Sequence, residues 1–400
     1  MEDRMEEIAS FSRNDNHLVI SLHGRIDSSN AQETEQCVLK QLDSVTSAEV
    51  DCSDLEYISS AGLRILLKTK KLVPDMTIIN TSDQIYNILE LTGFTEMINV
   101  RKAFRKISIE GCSVIGSGAN GTVYRYDDDT IVKVFKAPDA LPEIEREREL
   151  ARTAFVLGVP TAISYDIVQV DDGRYGAVFE LLNANSYHHL LLTGQKTIDE
   201  IAEMSVDLLK IVHSTTPKPG LLPSKAKISL DQLEHARQYL SEEEYQKIRS
   251  LYEALPENRH MLHGDLHIKN VMVQDGESLL IDMDTLCTGD PVFEFSGLYI
   301  SYLAFSELDP EDSMHFFGIP AEDLKSLFEK ILFRYCHEKN ADPESILKKQ
   351  QLISSVRMLF YCATGKHMPE KHKEKAITLF TGYIRNLLPE LTDLSSGITY

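Results

Sequence analysis

Along the first hundred residues the apolar positions switch repeatedly between two periods. His17-Leu-Val-Ile-Ser-Leu-His-Gly-Arg-Ile-Asp27 alternates apolar and polar as a half-buried strand does. Ser28-Ser29-Asn30 offers a cap, and a helix follows to about residue 42. Residues 48–52 read as a short strand, and Ile58-Ser59-Ser60-Ala61-Gly62 breaks into a helix over 63–71 whose Leu63, Ile65, Leu66 and Leu67 cover a sheet. A strand over 76–79, a helix over 84–91 closed by Thr92-Gly93, and a last strand over 97–100 complete the series. Strands alternating with helices at this spacing predict a small α/β domain.

Beyond residue 110 the pattern changes. Thr122-Val-Tyr-Arg-Tyr126 reads as a strand, Asp127-Asp128-Asp129 as a turn, and Ile131-Val-Lys-Val-Phe135 as a second strand. Just before them, Gly116-Ser-Gly118-Ala-Asn-Gly121-Thr-Val123 has the spacing of a glycine-rich loop that covers phosphates. Glycine lets the backbone approach phosphate oxygens and take up positive φ. The same glycines would suit a dinucleotide fingerprint, but that requires a helix directly after them, and here a strand follows. Lys133 sits inside the second strand between apolar neighbours, where an unpaired ammonium is costly, so a carboxylate partner is expected. The next helix, about 142–157, offers Glu143, Glu145, Glu147 and Glu149. Glu147 is favoured because Leu150, Ala151, Ala154 and Phe155 continue its face; Glu143, one turn earlier, is the alternative.

The densest chemistry lies in His263-Gly-Asp-Leu-His-Ile-Lys-Asn270, followed by Ile281-Asp-Met-Asp284. Around these, Leu266, Val271, Met272, Val273, Leu279, Leu280 and Ile281 alternate as two short strands would, which puts Asp265 and Asp282 at strand ends facing one cleft. An Asp with an Asn five residues on, then a second Asp after a hairpin, is what phosphoryl transfer from Mg-ATP requires. Asp265 would orient the attacking hydroxyl and accept its proton. Asn270 and Asp282 are hard oxygen ligands suited to Mg2+. Lys133 takes the position of the lysine that reaches the α- and β-phosphates.

Together these pieces resemble the kinase-like phosphotransferases of the aminoglycoside phosphotransferase and choline kinase group, over about residues 107–390. The resemblance rests on the glycine loop, Lys133, Phe179-Glu180-Leu181-Leu182, HGDLHIKN, IDMD and Gly289-Asp290-Pro291. It implies a two-lobed α+β protein-kinase-like domain with an N-lobe over 107–182 and a C-lobe from 183 to 400. It carries the catalytic base to Asp265, magnesium binding to Asn270 and Asp282, and adenine contacts to the backbone of Glu180 to Leu182. It also makes Asp284 a supporting or second-metal carboxylate. His263 is expected to support the loop by hydrogen bonding, and His267 to be either part of the site or an exposed loop residue. Only Thr285-Leu-Cys-Thr-Gly-Asp-Pro291 separates IDMD from an apolar helix beginning near Val292, which leaves no platform for an extended peptide. A helix-rich insert over 225–258 and a helical C-terminus over 322–388 suit a small acceptor pocket instead. Tyr187, His188 and His189 are candidates for its lining, or simply a helix surface.

The first domain, 1–106, resembles the STAS domains of bacterial anti-sigma-factor antagonists, through HGRIDSSNA, DLEYISSAGLRILL and ILELTGFTEMINV. The resemblance puts a regulatory phosphorylation site on Ser60, although the Asp that usually precedes it is Ser59 here. At a helix N-terminus a phosphate would be stabilised by backbone N–H groups. Simple capping by Ser59 and Ser60 is the competing explanation.

Composition narrows the partners. The chain has 400 residues and a net charge of −21, which argues against nucleic acid and anionic membranes as partners. No apolar run approaches a membrane span and the N-terminus is acidic and polar, so a cytoplasmic protein is expected. Six cysteines without close pairs read as free thiols, Cys287 near the cleft included. Trp is absent, so a cage for a quaternary ammonium would need Tyr or Phe. Two readings follow: an ATP-dependent phosphotransferase acting on a small-molecule hydroxyl and regulated or docked through a STAS domain, or a STAS signalling protein whose kinase-like part only binds nucleotide. In either, the STAS domain offers a surface for a protein partner.

Overall fold

The computed structural model describes residues 8–400 except 119, 183, 258 and 366. Ala119 of the glycine loop, Asn183 at the expected lobe boundary and Asn258 at the end of the expected insert therefore lie outside the described residues, as do the first seven residues of the first domain. The chain divides into two compact units, Met1–Ser108 and Ile109–Tyr400.

In the first unit, β1 (Ala9–Asn14), β2 (His17–Ile26), β3 (Ser47–Ile58), β4 (Asp75–Thr81) and β5 (Asn99–Lys102) form one sheet in that order. β1 pairs antiparallel with β2 and the remaining pairs are parallel. Helices α1 (Ala31–Gln41), α2 (Ser60–Leu72) and α3 (Asp83–Leu91) make the connections. β1 was not legible because it is an edge strand with only Ala9 fully buried and Phe11 partly buried against the core. β3 runs past the expected end at 52: register shifts against β2 break the alternation, so the buried positions go from Val50 and Cys52 to Leu55 and Ile58. Gly62 is sterically required. A Cβ there would lie 2.6 Å from Ile58 Cγ1 and 2.9 Å from Ile26 Cγ2, so only glycine lets α2 settle onto the strands. Ser59 is the N-cap, its side chain accepting from the Gly62 N–H, while Ser60 is exposed at the first helical position.

The second unit opens with antiparallel strands β6 (Ser113–Ser117), β7 (Gly121–Arg125) and β8 (Thr130–Phe135), then helix α4 (Leu141–Val156) and strands β9 (Asp166–Val170) and β10 (Tyr175–Glu180). They lie side by side in the order β9-β10-β8-β7-β6. Short strand β11 (Asn185–Ser186) leads to α5 (Tyr187–Leu192) and α6 (Ile198–Ser214), followed by the insert helices α7 (Lys225–Ala236) and α8 (Glu242–Glu253). A two-residue strand β12 (Met261–Leu262) precedes the HGD run, hairpin β13 (Val271–Gln274) and β14 (Glu277–Leu280) follows it, and β15 (Cys287–Thr288) pairs back onto β12. Helices α9 (Val292–Tyr299), α10 (Phe305–Leu308), α11 (Glu311–Phe317), α12 (Ala321–Glu338), α13 (Pro343–Thr364) and α14 (Glu370–Leu387) complete the unit. The region expected to be helical over 322–388 is thus three helices. Asn340 and Gly365 take positive φ, and Pro343 and Pro369 follow, which ends each helix cleanly. No helix among the described residues is long and apolar enough to cross a membrane.

Candidate active site

The glycine loop is the turn between β6 and β7, and its glycines are used differently from the expectation. None of Gly116, Gly118 and Gly121 has a positive φ. Gly121 is fixed by packing, since a Cβ would lie 2.7 Å from the Val134 carbonyl oxygen, whereas nothing lies within 4 Å of a Cβ at Gly118. One glycine lets two strands close up, and another has open space beside it. Lys136 Nζ donates to the Gly118 carbonyl at 2.7 Å and ties the loop to the end of β8.

Lys133 lies in β8, between the carboxylates of Glu147 and Asp282. Its ammonium donates to Glu147 at 3.0 and 3.2 Å and to Asp282 Oδ1 at 2.7 Å. Glu147, on α4, is only 8% exposed, and it shares a buried face with Ile144, Leu150, Ala151 and Ala154. Glu143 is exposed, as is Phe155, which does not belong to that face. Burial alone would lower the Lys133 pKa, but Glu147 and Asp282 more than reverse it and hold the ammonium charged. Burial raises Glu147. Burial also pushes Asp282 up, yet Lys133 outweighs it and keeps that carboxylate low. Asp284 lacks such a partner. Burial, then the charges of Asp282 and Glu147, push it up to about 7.

The IDMD turn is conformationally specialised. Asp282 adopts φ 63°, ψ 63°, a left-handed conformation rare outside glycine and typical of strained functional sites. Arg146 on α4 donates to the Asp284 carbonyl at 2.9 Å, so the helix that carries Glu147 also grips this turn.

The catalytic-loop candidate is anchored from several sides. Asp265 is part-exposed, with His267 Nε2 3.8 Å from its Oδ2. His263 bridges the two motifs: its Nε2 donates to the Ile281 carbonyl at 3.1 Å while its Nδ1 accepts the Asp265 N–H at 3.3 Å. His267 is 8% exposed, packed edge-on to Phe316 and Phe317, and burial lowers its pKa. It is therefore no surface loop histidine. Asn270 donates through Nδ2 to the Asp265 carbonyl at 3.0 Å, and its amide oxygen accepts no hydrogen bond from another described residue. Gly264 has φ +84°, and a Cβ there would lie 2.6 Å from the Thr285 carbonyl oxygen.

Four supports were missed from sequence. Glu294 on α9 is fully buried and accepts the backbone N–H groups of His263 at 2.7 Å and Gly264 at 3.0 Å. Tyr302 accepts the Ile268 N–H at 3.0 Å from a π-helical turn over 300–304, a bulge type often found beside functional sites. Thr285 Oγ1 donates to the His263 carbonyl at 2.8 Å, and Arg146 holds Asp284 as described. Glu294 had a readable signal, since a lone carboxylate in the apolar run Val292-Phe-Glu-Phe295 must find partners if buried.

Glu180, the last residue of β10, is exposed, and Leu181 just after it donates to the Asp129 carbonyl at 2.7 Å. The backbone N–H of Leu182 makes no hydrogen bond to another described residue. Tyr187 is fully buried, its hydroxyl on Ser278 at 2.5 Å, and His188 Nε2 donates to the Phe317 carbonyl at 2.5 Å. Tyr187 is core and not pocket lining. Cys287 is buried, and burial pushes its thiol up to about 11.

The residues that could hold Mg2+ are Asn270, Asp282 and Asp284. They offer the hard oxygen atoms that such an ion takes: two carboxylates, whose charges act on one another, and one amide oxygen.

The sequence profile described as "Phosphotransferase enzyme family" matches residues 111–319, and the STAS domain profile matches residues 9–107. A search of curated proteins finds no relative that matches. Among solved structures, ADP-bound aminoglycoside phosphotransferase APH(2'')-Ib is similar at 18% identity and TM-score 0.46, covering 76% of this chain and 98% of that one. A thermostable mutant of aminoglycoside phosphotransferase APH(4)-Ia, in its apo form, is similar at 12% identity and TM-score 0.49, covering 70% of this chain and 97% of that one.

Proposed function

The chain belongs to the phosphotransferase enzyme family, with a STAS domain at its N-terminus, and from that premise we propose that it transfers the γ-phosphoryl group of ATP to a hydroxyl of a small molecule. The observation that carries the reading is the convergence of Lys133, Glu147 and Asp282 at 2.7–3.2 Å in the same cleft as a part-exposed Asp265.

In this reading the loop over Gly116, Gly118 and Gly121 covers the phosphates and Lys133, oriented by Glu147, pairs with them. The backbone from Glu180 to Leu182 meets the adenine, with the Leu182 N–H as the available donor. Asn270 and Asp282 hold Mg2+ and Asp284 assists. Bound there, the ion neutralises charge that develops on the transferred group. Asp265 takes the proton of the acceptor hydroxyl as its oxygen bonds to the γ-phosphorus; the bond to the bridging β–γ oxygen breaks and ADP departs. His263 and Glu294 hold the loop that presents Asp265. The STAS domain serves as a docking or regulatory module for a protein partner, with Ser60 as its modification site.

The test is turnover of ATP across a panel of amino sugars, amino alcohols and sugars by the wild type, Asp265→Asn and Asp282→Ala. Asp265→Asn should lose about two to four orders of magnitude of transfer while still binding Mg-ATP. Asp282→Ala should lose metal-dependent nucleotide binding. If the wild type binds ATP but phosphorylates no acceptor in the panel or in a metabolite extract, the chain is a nucleotide-binding signalling protein and the proposal fails.

A further inference from the structure

We propose a second cation site, remote from the nucleotide cleft: Asp309, Asp312 and His372 bind one divalent transition-metal ion of the Zn2+ type. One ligand atom from each residue lies within 4.8 Å of the others. His372 is 6% exposed, and its Nε2 is buried without a hydrogen-bond partner. That nitrogen lies 3.5 Å from Asp312 Oδ2 and 3.9 Å from Asp309 Oδ2. Both separations exceed a normal N–H···O hydrogen bond. They are close to the spacing of roughly 3.3–3.6 Å between ligands that share a tetrahedral ion at bond lengths near 2.1 Å. A buried polar atom left unpaired is costly, and an ion between these three groups removes that cost. One imidazole and two carboxylates suit Zn2+ or Mn2+, and the part-exposed carboxylates leave room for water as a further ligand. Lys371 Nζ, 3.4 Å from Asp309 Oδ2, is the competing cation; its side chain is 64% exposed and free to swing away.

The position gives the site a purpose. Asp309 and Asp312 sit at the turn from α10 into α11, and His372 is in the first turn of α14. Lys375, one turn on from His372, donates to the Leu308 carbonyl, so α14 already faces this turn. At its far end α11 carries Phe316 and Phe317. The Phe316 carbonyl accepts from Lys269 and the Phe317 carbonyl from His188, while both rings pack on His267. An ion pinning α11 to α14 therefore braces the helix against which the Asp265 loop rests.

The test uses the full chain, stripped with a chelator and titrated with Zn2+, then with Co2+ for its visible absorption. Asp282→Asn removes the nucleotide-cleft ligand and should leave one equivalent bound. His372→Gln in that background should abolish it. In the wild type, Zn2+ at a hundredfold excess over Kd should raise the melting temperature by about 5 °C. Should His372→Gln not fold, Asp312→Asn, changed on the more exposed side, takes its place and should weaken binding at least tenfold. Binding in Asp282→Asn that is absent, or unchanged by the His372 or Asp312 substitution, overturns the proposal. Failure of the phosphotransferase reading would leave this result untouched, because the readouts are metal stoichiometry and melting.

Discussion

At the scale of single residues, the candidate site depends on two positions that contact no substrate. Gly264 combines a φ of +84° with a Cβ position 2.6 Å from the Thr285 carbonyl oxygen. Gly264→Ala must therefore accept a strained backbone and displace the turn that follows Asp282, a cost of about 2–3 kcal/mol. The variant should melt several degrees lower and lose transfer activity beyond what its folded fraction explains; a thermal scan matching the wild type would show that the loop adapts. Glu294 supports the same loop through charge. Burial pushes its carboxyl up, but His213, His263 and the Gly264 N–H together hold it below the usual range. A depressed folded pKa means stabilisation that is present above the unfolded value, near 4.3, and is lost as pH falls through the folded one. Glu294→Gln should cost about 1–3 kcal/mol at neutral pH. Its melting temperature and that of the wild type should converge as the pH falls below about 5; a constant gap across that range would mean that the carboxylate charge is not what holds the loop.

These two positions also show what sequence could and could not give at this scale. Asp265, Asn270, Asp282 and Lys133 stand out as candidates in the sequence because each sits in a short run of recognisable spacing, and the structure pairs Lys133 with Asp282 at 2.7 Å. Tyr302 and Arg146 do not stand out, since they act across 34 and 138 residues and look like ordinary members of a helix. Glu294 could have been found by asking why an apolar helix tolerates a carboxylate.

At the scale of elements, α4 joins both halves of the cleft. It supplies Glu147 to Lys133 and, through Arg146, grips the Asp284 carbonyl at 2.9 Å. Choosing Glu147 over Glu143 from the sequence worked because the helical period put it on the buried face. That period failed at Phe155, which is 53% exposed near the end of the helix. Likewise β3 outran its expected end because a register shift breaks strict alternation, which single-chain periodicity cannot anticipate. Glu147→Gln keeps the shape of α4 but removes the charge that orients Lys133. Losing one charge-assisted hydrogen bond, about 1.5–3 kcal/mol, should weaken nucleotide binding by about 10- to 100-fold. The chemical step at Asp265 should change little once nucleotide is saturating. Titration with a fluorescent ATP analogue checks this; unchanged affinity would mean that Asp282 alone positions the lysine.

At the scale of the whole molecule, each unit has a hydrophobic core of its own among the described residues. One is built around Leu18, Ile20, Val50, Ile78 and Ile85 and the other runs through the helices of the second unit. Every residue assigned to phosphoryl transfer belongs to the second unit, beyond residue 110. A chain beginning at Lys106 should therefore fold and keep transfer activity within about a few-fold of the full protein, because no ligand of the nucleotide, metal or acceptor is removed. Ser60 belongs to the other unit, exposed at the start of α2 where a negative charge is stabilised by the helix N-terminus. Ser60→Asp should thus change binding of a protein partner, measured by capture and quantified by titration, while ATP turnover stays at the wild-type level. The two experiments constrain each other. If the shortened chain folds but is inactive, the STAS unit contributes directly to the reaction, and Ser60→Asp should then alter turnover as well. If the shortened chain is active and Ser60→Asp still changes turnover, the STAS unit acts as an inhibitor whose removal and modification are equivalent. Only full activity in both leaves it as a docking module alone.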